Sequence, residues 1–257
     1  TTFGELEYRF ANGWNLKGVG TYELTDELAK LLYAYGNPDP VTGLGVYGMS
    51  GIYPSTYKSW IADVYASGPF EASGRTHQLV VGGQVSRSKG SEYEDFAEDA
   101  AIPYPSIFDW GRLQVAEPDY PGAYLAAQST DRLTRAYVAA HLDLSERLKA
   151  VVGVNALKLK TTGFSYGVDV GRDESAVSPY FGVVFDVTPN VSLYASYTDI
   201  FNPQSEVDET HQTLPPAHGK SYEAGIKSEW FDRRLYATAA VFRSEQSDLA
   251  EFAGIFP

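Results

Sequence analysis

Apolar and polar side chains alternate along much of this chain, and this alternation restricts the possible folds more than any other feature of the sequence. Residues 191–198 show it clearly: Val191, Leu193, Ala195 and Tyr197 alternate with Ser192, Tyr194, Ser196 and Thr198. Successive side chains of a strand point to opposite sides of a sheet, so this run predicts a β-strand between two different media. Its apolar side faces either a protein core or lipid.

Similar runs recur and predict about ten strands. They begin near Phe3, Trp14, Arg75, Ala136, Leu148, Phe181, Val191, Tyr222 and Leu235, and a further run ends near Ala66. Asn12-Gly13 lies between the first two runs, and an Asn-Gly pair in this position is a strong hairpin signal. The expected fold is therefore all-β, an antiparallel up-and-down meander.

The connections between these runs alternate in length. The long ones lie near residues 36–43, 89–130, 162–176 and 202–219, and short turns separate the other runs. Outer-membrane barrels sort their connections in this way, with short turns on the periplasmic side and long loops outside. The pattern favours a transmembrane β-barrel over a soluble up-and-down barrel, which stays the alternative at this point.

Composition excludes several classes of protein. A formal net charge of −13 argues against a nucleic-acid partner, because phosphate binding needs a basic face. The chain has no cysteine, which rules out disulfides and thiolate chemistry. No run approaches the roughly 18 apolar residues of a membrane helix. A mean hydropathy of −0.25 remains compatible with a barrel, whose strands hide their apolar residues by alternation.

The segment Thr25–Gly36 departs from the strand pattern. Leu28, Leu31, Leu32 and Tyr35 stand at helical spacing, and a glycine ends the segment. The sequence allows a short helix or turn in a loop, or an extension of the preceding strand.

The sequence contains no pattern typical of an enzyme or of a metal site. The acidic residues Glu92, Glu94, Asp95, Glu98 and Asp99 do not have the spacing of an EF-hand, and we expect them in a solvated loop. The four histidines His77, His141, His211 and His218 are too scattered for a metal centre. Neither a phosphate-binding loop nor a nucleophile elbow is recognisable. We expect no enzymatic activity, no metal site and no covalently bound cofactor.

Several segments resemble one known family. They are "ELEYRFANGWNLKG" (5–18), "YASGPFEASGRTHQLVVG" (65–82), "SPYFGVVFDVTPNVSLYASYTDIF" (178–201), "FNPQ" (201–204), "LPP" (214–216) and "GKSYEAGIKSEWFDRRLYATAAVFRSEQSDLA" (219–250), with "PDPVTGLG" (38–45) and "IFDW" (107–110). Taken together and in this order, they resemble the barrel of TonB-dependent ferric-siderophore receptors. The combination is specific, whereas any single segment is a weak signal.

The resemblance implies a function and a location. Such receptors lie in the outer membrane of Gram-negative bacteria, bind a ferric siderophore outside and are energised through the TonB complex. Their barrels have about 22 strands and enclose an N-terminal plug domain. We expect residues 1–257 to form a partial barrel without the plug or the segment that contacts TonB, and not to transport alone. The apolar side of Val191 to Tyr197 is then expected to face lipid.

The best candidate ligand residues are aromatic side chains and one cation in the longest connection. They are Tyr93, Tyr104, Phe108, Trp110, Arg112 and Tyr120. Flat rings and a guanidinium suit a bulky, often anionic iron chelate. The alternative is that these residues pack the loop onto itself.

A second class of function stays open on the sequence alone. A soluble all-β carbohydrate-binding or hydrolytic protein would also suit a Tyr-rich surface and paired carboxylates such as Glu5 and Glu7. Dependence on detergent distinguishes the two classes.

Overall fold

The computed structural model describes residues 1–97, 102–112, 117–204, 206–210, 212–232 and 234–254. Twelve strands form one sheet: β1 Thr2–Arg9, β2 Asn15–Gly36, β3 Val46–Ala72, β4 Arg75–Phe96, β5 Ile102–Pro103, β6 Tyr124–Asp143, β7 Leu148–Ser165, β8 Val168–Asp169, β9 Arg172–Thr188, β10 Val191–Asn202, β11 Ala217–Trp230 and β12 Leu235–Ser247. A 3₁₀ helix spans Ile107–Arg112.

Ten long strands follow one another in the sheet in chain order, and every pairing is antiparallel. The short strands β5 and β8 add to β3 and β7. Among the described residues, β1 pairs only with β2 and β12 only with β11. The expected antiparallel meander is confirmed. Within the same described ranges, no helix is both long and apolar enough to cross a membrane.

The connections do alternate between the two ends of the sheet. The short turns at residues 10–14, 73–74, 144–147 and 189–190 and the turn between β11 and β12 lie at one end of the sheet, which we call the short-turn end. The connections between β2 and β3, β4 and β6, β7 and β9, and β10 and β11 join their strands at the other end, the long-connection end. Ser73 and Gly74 have φ values of 51° and 72°, the positive values that a two-residue hairpin turn with the twist of its strands requires.

Two of the expected long connections are shorter than predicted. Strand β4 continues to Phe96 and β6 already starts at Tyr124, so residues 89–96 and 124–130 are strand and not loop. Strand β7 continues to Ser165 and β9 starts at Arg172, which leaves a tight connection where residues 162–176 were expected to form a loop. Where both faces of a strand meet the same medium, apolar and polar side chains no longer alternate, so the sequence pattern does not mark the strand.

The helical interpretation of Thr25–Gly36 is wrong, because this segment is the second half of β2. It pairs without interruption with residues 46–57 of β3. The rings of Tyr35 and Tyr47 stack across the pair with their centroids 6.0 Å apart. A complete ladder of interstrand hydrogen bonds overrides the weak helical preference of Leu, Ala and Lys.

The register separates the side chains into an apolar face and a polar face. On the apolar face, one row of directly opposed residues is Leu16, Ala66, Val81, Val138, Val154 and Pro179. On the polar face, the row beside it is Lys17, Tyr65, Gly82, Tyr137, Asn155 and Ser178. Apolar residues outside a core are usually scattered, but here they form a continuous exposed surface. Val81 is 46% exposed and Val138 is 38% exposed. The apolar face therefore meets a medium outside this chain.

Side chains on the polar face bond to one another across the strands. The hydroxyl of Tyr137 donates to Asp63 at 2.9 Å, and Lys17 lies 2.8 Å from Glu5. The Tyr137 ring lies directly over Gly82, where a Cβ would come within 2.6 Å of it. Glycine is required there because any side chain would displace the ring.

Candidate functional site

The segment around the 3₁₀ helix is docked on the connection between β2 and β3. The backbone N–H of Tyr104 donates to Val46 at 2.9 Å, and that of Ile107 donates to Gly43 at 2.9 Å. The ring of Phe108 lies against Gly43, whose φ of 69° suits the glycine there. Asp39 holds the turn by accepting from Thr42 and Val41 N–H groups, and these bonds lower the pKa of its carboxyl. The two connections therefore form one structured surface.

Two of the six candidate residues contact each other here. The rings of Tyr104 and Trp110 meet edge to face, with centroids 5.8 Å apart and an interplanar angle of 80°. Tyr104 is buried and lies over Gly48, whereas Phe108 is 66% exposed and Trp110 is 40% exposed. Tyr104 therefore packs the connection onto β3, and Phe108 and Trp110 offer open aromatic surface.

Of the other three candidates, Tyr93 and Tyr120 lie elsewhere in the structure. Tyr93 lies on β4 and is partly exposed. Tyr120 lines a separate pocket of about 180 Å³ beside Lys30 and Glu117, which form an ion pair at 2.5 Å. Arg112 ends the 3₁₀ helix, and its side chain lies outside the described residues. A ligand role for all six residues stays a prediction.

A larger pocket of about 300 Å³ lies among strands β3 to β9 toward the long-connection end. Polar side chains line it and bond to one another. Tyr57 donates to Glu92 at 2.7 Å, Thr161 to Asp131 at 2.5 Å, and Arg172 Nε to the Thr161 hydroxyl at 3.1 Å. These side chains hold fixed positions, so the pocket presents hydroxyls, carboxylates and a guanidinium to any ligand that enters it.

Sequence reasoning missed this pocket. Glu92, Asp131 and Arg172 fell inside or next to ranges that were expected to be loops, and Tyr57 lay outside any assigned strand. Because the lining residues come from five separate strands, β3, β4, β6, β7 and β9, only the strand register brings them together. A signal was present in Ser88, Gly90 and Glu92, which continue the polar positions of β4 beyond Ser86.

The expected solvated acidic loop is wrong for the part that the structure describes. Glu94 and Asp95 are buried, with 7% and 8% of their surface exposed. Glu94 accepts a hydrogen bond from Tyr124, and Asp95 accepts one from the Gly122 N–H at 3.1 Å. Buried carboxylates need such donors, and the start of β6 and the residues just before it supply them. Glu98 and Asp99 lie outside the described residues.

Gln204 connects three segments at the long-connection end. Its Nε2 donates to the carbonyls of Pro215 at 2.7 Å and Asp248 at 2.6 Å, and its Oε1 accepts from the Ala250 N–H at 2.9 Å. Its own carbonyl accepts from Arg172 Nη1 at 2.7 Å. Gln204 is 8% exposed. The side chain of Gln204 therefore holds this connection against residues 248–250, and its main-chain carbonyl holds it against Arg172 at the start of β9.

The histidines in the described residues do not form a metal centre. His77 accepts the Asp143 N–H on Nδ1 at 3.0 Å, and its Nε2 donates to the Ala72 carbonyl at 3.1 Å. His77 therefore links the turn at residues 73–74 to the turn at residues 144–147. In the part of the chain that the structure describes, no three His, Asp or Glu side chains are grouped to hold a metal ion. His211 lies outside that part.

We expect Tyr104→Phe to stabilise the docked segment slightly. The Tyr104 hydroxyl is buried without a hydrogen-bond partner among the described residues, and this burial raises the pKa of Tyr104. Removing an unsatisfied hydroxyl should be neutral or gain up to about 1 kcal/mol. Tyr57→Phe is the matched control and should cost about 1 kcal/mol, because it breaks the bond to Glu92. Hydrogen exchange of residues 104–108 and thermal unfolding measure the two effects. A destabilised Tyr104→Phe protein would contradict the expectation.

Comparison with known proteins agrees with the fold. The profile of the family described as "TonB dependent receptor-like, beta-barrel" matches residues 1–257. A ferric-pyoverdine receptor of a Pseudomonas species is 34% identical over 98% of the chain, and the ferripyoverdine receptor of Pseudomonas aeruginosa is 32% identical over 98%. The chain spans 32% and 31% of these relatives, about a third of their length.

A solved structure has the same architecture. The ferripyoverdine receptor of the outer membrane of Pseudomonas aeruginosa, bound to ferripyoverdine, superposes with a TM-score of 0.83 and 30% identity. The match covers 95% of this chain and 32% of that chain. These findings do not support the alternative of a soluble carbohydrate-binding or hydrolytic protein.

Proposed function

Because the chain belongs to the TonB dependent receptor-like β-barrel family, we propose that it forms part of the wall and mouth of an outer-membrane receptor for ferric siderophores. The match over the whole chain carries this proposal. The family consists of receptors and transporters and not of enzymes. Iron is therefore cargo, carried as its siderophore complex, and needs no resident metal site.

The two faces of the sheet support this assignment. We propose that the apolar face contacts the lipid of the Gram-negative outer membrane and that the polar face lines the inside of the barrel. The long-connection end lies outside the cell, so the 300 Å³ pocket and the exposed rings of Phe108 and Trp110 face the medium. A plug domain and the TonB complex complete the transporter.

The first ligands to test are ferric pyoverdines, because relatives at 34% and 32% identity are named for them. A ferric siderophore is a bulky, often anionic iron chelate. The polar pocket provides hydrogen-bonding groups for such a ligand, and the exposed rings of Phe108 and Trp110 provide flat contact surface.

We expect cells that lack the gene to lose uptake of radio-iron supplied as ferric pyoverdine, and a plasmid copy to restore it. Phe108→Ala should weaken binding about tenfold, since an exposed ring at the mouth loses its contact with the ligand. Phe231→Ala is the matched control, because Phe231 is also exposed, at 74%, but lies at the short-turn end. Uptake that is unchanged without the gene, for ferric pyoverdines and for other ferric siderophores, would disprove the proposal.

A further inference from the structure

On β3, β4, β6 and β7 the apolar face is followed by a group of cations toward the long-connection end. On β4 the residues of this face are Leu79, Val81, Gly83, Val85 and then Arg87 and Lys89. On β7 it runs Val152, Val154, Ala156 and then Lys158 and Lys160. The same level holds Lys58 on β3 and Arg132 on β6. We call Lys58, Arg87, Lys89, Arg132, Lys158 and Lys160 the cation rows.

The register places these charges beside one another. Arg87 is directly opposite Arg132, Arg132 is opposite Lys160, and Lys58 is opposite Lys89. All six side chains are exposed. Like charges directly opposite one another destabilise an antiparallel pair, and Asp173, which is directly opposite Lys160, offsets only part of this cost.

Few carboxylates compensate the cation rows. Lys158 forms an ion pair with Asp173 at 3.0 Å. Among the described residues, no carboxylate lies within ion-pair distance of the other five cations. The rest of the chain is strongly acidic, with a formal net charge of −13 overall. A positive surface on such a chain indicates an anionic partner at this place.

Two aromatic residues fix the level of the rows relative to the apolar face. Tyr22 is directly opposite Trp60, and Trp60 is directly opposite Arg87. Tyr22 is 46% exposed and Trp60 is 42% exposed. Exposed Trp and Tyr at the margin of an apolar band mark the boundary between the lipid chains and the headgroups. The cation rows therefore lie at headgroup height.

We propose that the cation rows bind phosphate groups of lipid headgroups in the leaflet at the long-connection end. This inference rests on the proposed position of the apolar face in a membrane. Phosphates supply the charge that the rows lack, and the acyl chains of the same lipid cover the adjoining apolar face. A guanidinium can take two oxygens of a phosphate, which suits Arg87 and Arg132 as the central pair.

The test uses the receptor expressed from its natural gene and purified in a non-ionic detergent. Native mass spectrometry measures the binding of lipid A with two phosphates, of fully dephosphorylated lipid A, and of inorganic phosphate. The variant carries Arg87→Gln, Arg132→Gln and Lys160→Gln. Its affinity for the phosphorylated lipid should fall about a hundredfold, and each single substitution should cost about fivefold. Binding by the unmodified receptor should also weaken as salt rises.

The matched control carries Arg9→Gln, Arg147→Gln and Arg234→Gln, which remove the same charge from the short-turn end. It should bind the phosphorylated lipid within about threefold of the unmodified receptor. Equal affinity for the dephosphorylated lipid would overturn the proposal. An unchanged affinity of the single and triple Gln variants for the phosphorylated lipid would also overturn it. Full displacement of the lipid by inorganic phosphate at millimolar concentration would have the same consequence.

Two further measurements on the same preparations separate the possible failures. The electrophoretic shift on heating shows whether each variant is folded. If the triple variant does not fold, the single substitutions decide the outcome. Binding of ferric pyoverdine is measured in parallel. Lipid binding without siderophore binding would contradict only the proposed function, whereas siderophore binding with lipid binding independent of the rows would contradict only this inference.

Discussion

Val138→Arg should destabilise the protein in a bilayer by about 2–4 kcal/mol, the cost of a cation near the middle of a lipid-facing band. Val138 lies halfway along the apolar part of β6, and its direct neighbours are Val81 and Val154. The arginine has no acidic partner there and is far from the headgroups. Urea titration of the folded fraction in lipid vesicles measures the loss, and the heat-dependent shift in electrophoresis reports the folded fraction.

Ser178→Arg is the matched control for this substitution. Ser178 belongs to the row of polar-face residues beside the row of Val138, and it is directly opposite Asn155. An arginine on that face meets polar side chains and water, so its cost should stay within about 1 kcal/mol. Equal destabilisation by both substitutions would show that the apolar face does not contact lipid.

Gln204→Ala should free residues 203–216 from the wall and cost about 3 kcal/mol locally. The substitution removes three side-chain hydrogen bonds and leaves the carbonyls of Pro215 and Asp248 and the N–H of Ala250 without these partners. Each such loss costs about 1 kcal/mol or more. Hydrogen exchange should rise in residues 206–210 and 248–250 and stay unchanged at the short-turn end.

Gln212→Ala is the control for this prediction, because Gln212 lies on the same connection with an exposed side chain. Gln204→Asn is a second comparison: it keeps the amide but is one methylene too short to reach all three partners. We expect fast exchange for Gln204→Ala, intermediate exchange for Gln204→Asn and unmodified exchange for Gln212→Ala. Equal exchange in all three variants would mean that Gln204 does not hold the connection.

Alternation predicted the part of the fold that lies between two media. Leu193 and Tyr194 point to opposite faces as expected, and Leu193 is 46% exposed on the apolar face. Beyond the apolar band, residues 86–92 of β4, apart from Gly90, and residues 128–132 of β6 are polar or charged on both faces, and the period of two disappears from the sequence. The same residues then resemble a hydrophilic loop, and for this reason 89–96 and 124–130 were assigned to one.

The candidate site was harder to predict than the fold. Aromatic composition placed Tyr104 and Trp110 among the candidates of one connection, but it could not show that their rings meet or that Tyr104 is buried against Gly48. The polar pocket depends on the register of strands that are distant in sequence, such as β3 and β9. Gln204 was recognisable within "FNPQ", although its three partners were not, since two of them lie beyond residue 245.

The meander also determines how such a sheet can be assembled. Each long strand pairs with the strand just before it and the strand just after it, and the turns at the short-turn end are only a few residues long. Closing a short loop costs little chain entropy, and contacts between sequence neighbours favour rapid folding. A growing sheet can therefore add one hairpin at a time, with the edge of the last strand as template for the next. Errors of register at one hairpin are passed to all later strands, which makes the early turns at Asn12-Gly13 and Ser73-Gly74 the points where accuracy matters most.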